Sequence, residues 1–216
     1  MPEPWIFDLD GTLADSSEGI LESLEVALKA CGYPMRVSDP RLLIGPNLPV
    51  SVSIANPDLA PGEVRQVVTA YREYYNATGH KKSSLYPGVP QTLQFLADSG
   101  RPLYILTNKI QLAADIISVH LGLKKWVTAI FGQDAAERPK PERMLAMVRE
   151  LGLSRGVLVG DGLDDFAAAQ GAGYRFLLAR WGYGAQRVQE KHGPVQGFDR
   201  VEEMCQLICD GKTFQQ

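Results

Sequence analysis

Three carboxylates, Asp8, Asp10 and Asp15, stand at the end of the otherwise apolar run in WIFDLDGTLADS, residues 5–16. A buried strand has no structural need to finish in acid. A second acidic set, Asp161, Asp164 and Asp165, follows the apolar run GVLVGD at 156–161, and Thr107 with Asn108 closes PLYILTN at 102–108. Carboxylates gathered in one crevice repel one another, and a hard divalent cation relieves that repulsion; Mg²⁺ binds one or two of them and leaves room for phosphate oxygens. The set therefore predicts Mg²⁺ and a phosphoryl group. A carboxylate can attack phosphorus to give an acyl phosphate, and a second acid must then protonate the leaving oxygen and later deprotonate water. Asp8 and Asp10 offer that division of labour, because residues i and i+2 of an extended segment point the same way. Gly11 and Thr12, next in the chain, can turn it and present backbone N–H groups to phosphate oxygens.

Such residues act together only if the fold brings them together. Short apolar runs alternate with segments of helical period, the pattern of a parallel sheet wrapped by helices. The expected strands are WIFDL (5–9), PLYILTN (102–108), VTAIFG (127–132), GVLVGD (156–161) and RFLLAR (175–180). Between the later ones, PGVPQTLQFLADSG, QLAADIISVHLGL and PERMLAMVRELGL carry apolar residues three and four apart with a glycine near each end, as crossover helices do. This predicts an α/β fold, a doubly wound, Rossmann-like parallel sheet. In an open sheet of that kind, ligands bind outside the carboxyl ends of the strands. Asp8, Asp10, Thr107, Asn108 and Asp161 all fall at such ends, with Lys140 at the start of the helix before the fourth strand.

A long stretch separates Asp10 from Thr107, where a crossover needs only about a dozen residues or more. Within it, SSEGILESLEVALKACGY places Ile20, Leu21, Leu24 and Leu28 on one face, and PGEVRQVVTAYREYYNATG does the same with Val64, Val67, Val68, Tyr71 and Tyr75. Residues 16–82 are read as an inserted small helical cap domain, and 1–15 with 83–216 as the core domain. The turn after Asp15 and GHKKSSLYPG are the expected hinges. Asp15 is expected to cap the helix starting near Ser17.

The chain has 216 residues, 45% of them hydrophobic, and a net charge of −3, enough for one or two packed domains. Lys and Arg are scattered, so neither a nucleic-acid backbone nor an anionic membrane is an expected partner. No run approaches the ~20 apolar residues of a membrane span, and the N-terminus lacks the pattern of a signal peptide. A cytoplasmic chain acting on a small phosphorylated metabolite, as monomer or homodimer, is the expectation. Cys205 and Cys209, four apart, read as helix packing rather than a metal site. His80, His120 and His192 show no ligand spacing.

FDLDGTLADS, the LTNK strand end, a Lys-Pro before a helix, and VGDGLDD together resemble the four motifs of the haloacid dehalogenase-like hydrolases. The resemblance spans residues 5–165 and implies a phosphatase: Asp8 as nucleophile, Asp10 as acid/base, Thr107 as hydroxyl donor to the phosphoryl oxygens and Asp161 as metal ligand. Asp8 and the backbone carbonyl of Asp10 would also meet the Mg²⁺. Dehalogenase members lack an aspartate at the place of Asp10, which argues against carbon–halogen cleavage. In ERPKPERML the family's lysine is either Lys140 or, in a K-P-x-P register, a place filled by Arg138; lysine is the commoner residue there, which favours Lys140. For the second acid of the fourth motif, an outer partner of the metal, Asp165 is favoured, with Asp164 close behind.

Substrate identity should lie in the inserted helices, which see the leaving group. LLIGPNLPVS, with Gly45, Pro46 and Asn47, resembles the cap loop of the phosphoglycolate phosphatase-like branch, making Gly45 and Asn47, with Gly11 and Asn108, candidate substrate contacts. Arg41, Lys81 and Lys82 are further candidates for an anionic leaving group. The branch also contains pyrophosphatases, and a sugar-phosphate mutase of the same family is a second possibility. A receiver-like phosphoacceptor switch shares the Asp, Thr, Lys and Mg²⁺, but it is shorter, has no helical insert and lacks the counterpart of Asp10.

Overall fold

The computed structural model describes residues 2–209, and the side chains of all of these but 208 and 209. The chain opens with β1 (Trp5–Phe7), then β2 (Ala14–Asp15), and the helices α1 (Ser17–Ala30), α2 (Leu48–Ala55) and α3 (Pro61–Ala77) before β3 (Ser84–Leu85). It continues α4 (Val89–Asp98), β4 (Leu103–Ile110), α5 (Gln111–His120), β5 (Ala129–Gln133), α6 (Lys140–Glu150), β6 (Val157–Gly160), α7 (Leu163–Ala172) and β7 (Arg175–Ala179). It ends α8 (Ala185–His192), β8 (Gly197–Phe198) and α9 (Glu203–Cys209). Six strands form one sheet in the order β5-β4-β1-β6-β7-β8, every pairing parallel. The doubly wound fold is thus the one expected. β8 is an addition, a two-residue edge strand too short to register as a periodic run.

Alternation along β1 shows how the layers are built. Trp5, Phe7 and Leu9 join a core with Leu93 and Leu96 of α4, Ile117 of α5 and Met204 of α9. Ile6 points to the opposite core, with Met144 and Met147 of α6 and Ala168 and Ala169 of α7. A strand buried on both faces has no position for a polar residue until it ends, and the acids begin at Asp8. The Asp8 amide still donates to the Val159 carbonyl at 2.9 Å, so the ladder holds the nucleophile candidate firmly.

α1, α2 and α3 enclose a third core from Leu24, Leu28, Val52, Val67, Tyr71 and Tyr75. Tyr71 and Tyr75 stack at 5.5 Å and 7°, while Tyr74 on the outer edge donates to Glu22. The segments leading in and out of these helices pair antiparallel as β2 and β3, Ala14 opposite Leu85 and Asp15 opposite Ser84. In LLIGPNLPVS the loop ends at Asn47, which caps α2, and Pro49 lies in the first turn of that helix, a start signal rather than a break. Asp15 serves α1 from one residue before the N-cap Ser16, accepting from the Ser17 amide at 3.1 Å and the Tyr183 hydroxyl at 2.5 Å. His80 is buried with Nδ1 3.0 Å from the Tyr75 carbonyl, and His192 stacks on Phe166; both are packing roles. Cys205 lies 3.6 Å from the Thr92 hydroxyl, and its proposed neighbour, the Cys209 side chain, is outside the described residues.

Candidate active site

The carboxyl ends of β1, β4 and β6 converge because the three strands are adjacent and parallel. Asp8, Asp161 and Asp165 each bring a carboxylate oxygen within 4.8 Å of the others, and none is more than 8% exposed. Lys140, the first residue of α6 and 3% exposed, donates to Asp8 Oδ1 at 2.6 Å and to Asp165 Oδ1 at 2.5 Å. Arg138 is placed elsewhere, its guanidinium paired with Asp134 at 2.6 Å and half exposed. The Pro-rich approach fixes this choice, since Lys140 opens the helix on the face that packs against the sheet, along with Arg143, Met144 and Met147.

The fourth-motif acids also divide. Asp165 takes the Gly162 amide at 2.9 Å on its second oxygen, a cap that turns the carboxylate inward. Asp164, one residue earlier on α7, points instead to the Asn108 amide nitrogen at 3.0 Å. Asp161 accepts from the Gly184 amide at 2.8 Å and the Thr12 hydroxyl at 3.3 Å. Gly11 has φ +82°, and a Cβ on it would meet the Asp161 carboxylate at 2.6 Å. Its own N–H is spent on the Ala14 carbonyl at 2.9 Å. The expectation that this amide faces the substrate is therefore corrected: the tight turn consumes it, and glycine is required there for close approach.

Burial, and then the neighbouring Asp165, push the Asp161 carboxyl up to about 7. Burial likewise raises Asp8 well above the ordinary carboxylate range, Lys140 opposing the shift and Asp165, Asp161 and Asp10 adding to it. Burial alone would lower Lys140, but Asp165 and Asp8 outweigh it and hold the ammonium charged. Three buried carboxylates thus share one buried cation, a deficit of positive charge that a divalent ion fits. The Asp10 side chain is outside this group. Its Oδ2 lies 3.1 Å from Lys109 Nζ, and its Oδ1 accepts from Ser16 Oγ.

Thr107 is buried, and its hydroxyl accepts from the Lys109 amide at 3.2 Å. Asn108 is held three ways: its amide donates to the Gly45 carbonyl at 3.2 Å and to Asp164, while its oxygen accepts from Arg143 at 2.6 Å. Asn47 Oδ1 is spent on the Val50 amide at 3.2 Å as the cap of α2. Asp8, Asp10, Thr107, Asn108, Gly45 and Asn47 nonetheless line one cleft, about 940 Å³ with its open mouth, that runs from the strand ends up between the inserted helices. Arg41 lies on Asp39 at 3.0 Å and Lys82 on Glu18 at 2.9 Å; these two and Lys81 do not line that cleft.

Two supporting residues escaped the reading of the sequence. Arg143 reaches the Thr107 carbonyl at 2.8 Å, where the register of β4 with β5 breaks after Leu106; its place three residues after Lys140, on the same helical face, was an available signal. Lys109 lay inside the quoted LTNK, but nothing local indicates that its partner is Asp10.

Residues 5–179 match the haloacid dehalogenase-like hydrolase family. The chain belongs to that family. A phosphoglycolate phosphatase of Vibrio cholerae serotype O1 is 35% identical over 193 residues, covering 82% of this chain and 84% of the relative. A 5'-nucleotidase of Pseudomonas aeruginosa is 28% identical and covers 88% of each chain. A haloacid dehalogenase-like family hydrolase from Streptococcus pneumoniae superposes with a TM-score of 0.86 at 27% identity, over 95% of this chain and 98% of that one. Among the described residues, no helix is long and apolar enough to cross a membrane.

Proposed function

We propose that this haloacid dehalogenase-like hydrolase is a Mg²⁺-dependent phosphatase that cleaves a small phosphomonoester through an aspartyl phosphate on Asp8. The observation that carries this reading is the buried group of Asp8, Asp161 and Asp165 braced by Lys140. Asp8, Asp161 and the backbone carbonyl of Asp10 would hold Mg²⁺, with Asp165 in support; the ion would supply positive charge to the phosphoryl oxygens.

Asp8 Oδ1 is engaged by Lys140, so Oδ2 is the oxygen that attacks phosphorus. Asp10 enters this step as the neutral acid, and the bond from phosphorus to the leaving oxygen breaks as Asp10 gives that oxygen its proton and becomes a carboxylate. Asp10 then takes a proton from water, whose oxygen attacks the acyl phosphate, releasing inorganic phosphate and restoring Asp8. Lys140 and the Thr107 hydroxyl offset the charge on the transferring group, the kind of preorganised stabilisation that contributes most in a dry site. Residues 16–82 act as a cap domain over the core, and Gly45, Asn47 and Asn108 border the leaving group.

The relatives named phosphoglycolate phosphatase support a small leaving group of that kind. A screen of phosphoglycolate, pyrophosphate, sugar phosphates and nucleotides with Mg²⁺ tests the reading. Phosphate release from at least one phosphomonoester, abolished by chelator, is expected; no release from any would overturn it.

A further inference from the structure

Lys109, the last residue of LTNK, has the surroundings of a working group although the mechanism above gives it no role. A lysine buries its ammonium only where an opposite charge meets it, and this side chain is 9% exposed. Its Nζ lies 3.1 Å from Asp10 Oδ2 and 4.3 Å from the centroid of the Tyr75 ring. Tyr75 is itself immobilised, buried and stacked on Tyr71 of the same helix. Behind the side chain, the Lys109 amide is tied to the Thr107 hydroxyl. The lysine is therefore fixed at its root by β4 and at its tip by α3, and what it presents to the cleft is a directed positive charge on Asp10.

The geometry points to Lys109 as a positioning residue that, seated on Tyr75 of the inserted helix, holds the Asp10 carboxyl in line with the leaving oxygen. This rests on Asp10 being the acid/base. Asp10 lies three residues past the end of β1, its backbone bridged to Ala14, and its side-chain rotamer is set by its partners. Lys109 and Ser16 occupy one oxygen each. A displacement of about 1 Å in a reacting group can cost on the order of a hundredfold in rate, so an acid on an unbraced carboxylate would act poorly.

The alternative is a lysine that only ties the end of β4 to the loop after β1 and to α3, and the choice of leaving group separates the two. An alkoxide needs a proton as the phosphorus–oxygen bond breaks, whereas p-nitrophenolate departs without one. The test is the first-turnover release of leaving group by the full chain with Mg²⁺, using glycerol phosphate and p-nitrophenyl phosphate. Lys109→Met should slow release of glycerol by on the order of tenfold or more and that of p-nitrophenolate by less than about threefold. Equal slowing of both, or of neither, would overturn the inference. Asp10→Asn sets the reference. If it discriminates between the two substrates and Lys109→Met does not, the inference fails alone; if it slows both equally, the acid/base assignment fails and the inference with it. Should Lys109→Met not fold, Lys109→Gln, which keeps a polar end in the same space, carries the same expectation.

Discussion

Two lysines, Lys140 buried and Lys109 partly so, contact the two aspartates that follow β1, and they are anchored in different parts of the molecule. Lys140 opens α6 and binds Asp8 and Asp165, so all three sit on the sheet and the helices packed directly on it. Lys109 binds Asp10 and rests on Tyr75, so the acid/base candidate shares its support with the inserted helices. The first arrangement is rigid because α6 packs against β4 and β6 through Met144 and Met147. The second depends on how α3 meets the sheet, through contacts such as Ala113 of α5 with the inserted core. Under the proposed mechanism, the phosphoryl chemistry common to all substrates would rest on the sheet, and the step that meets the leaving group would rest where the insert can influence it.

The largest effect tests the sheet half. Asp8→Asn removes the attacking oxygen but keeps the size of the side chain, and turnover should fall by on the order of 10⁴-fold or more; steady-state kinetics checks this, and retained turnover would refute the covalent route. Next is the metal. Activity should vanish with chelator and return with Mg²⁺, and Asp161→Ala should require far more Mg²⁺ for half-maximal rate, read from a metal titration. An unchanged titration would remove Asp161 from the site.

Lys140→Ala should lower kcat by on the order of a hundredfold, as loss of one preorganised electrostatic donor does elsewhere, and by similar factors for alkyl and aryl phosphates. That uniformity is what separates Lys140 from Lys109. Arg138→Ala should leave kcat nearly unchanged, since an exposed pair such as that with Asp134 contributes about 0–1 kcal/mol and does not reach Asp8. Reversal of these two results would restore the K-P-x-P register.

A stability measurement sharpens the same contrast. Leu24 in the inserted core and Leu93 in the sheet core are both fully buried, and each replaced by Ala should cost about 2–5 kcal/mol. Leu93→Ala should lower hydrogen-exchange protection throughout the sheet, while Leu24→Ala should lower it first in α1 and α3. Equal loss everywhere would show that sheet and insert unfold as one unit.

The sequence by itself determined the parallel sheet, because strands buried on both faces must be apolar almost throughout and so announce where they stop. It also determined Asp8, Asp10, Thr107 and Asp161 as candidates, since each lies within a residue or two of such a stop. The sequence favoured Lys140 over Arg138 and Asp165 over Asp164, through resemblance to the family's motifs rather than through any local signal. Neighbours in a chain have nearly identical sequence surroundings, and only the packing of α6 and the cap of α7 decide which one turns inward. Gly11 was legible as a turn, but the fate of its amide was not, because the acceptor is the Ala14 carbonyl across the turn. Lys109 was visible as a letter in LTNK and invisible as a partner of Asp10 and Tyr75. Those contacts join segments far apart in the chain, and only the tertiary structure, by docking the inserted helices against the end of β4, brings the three together.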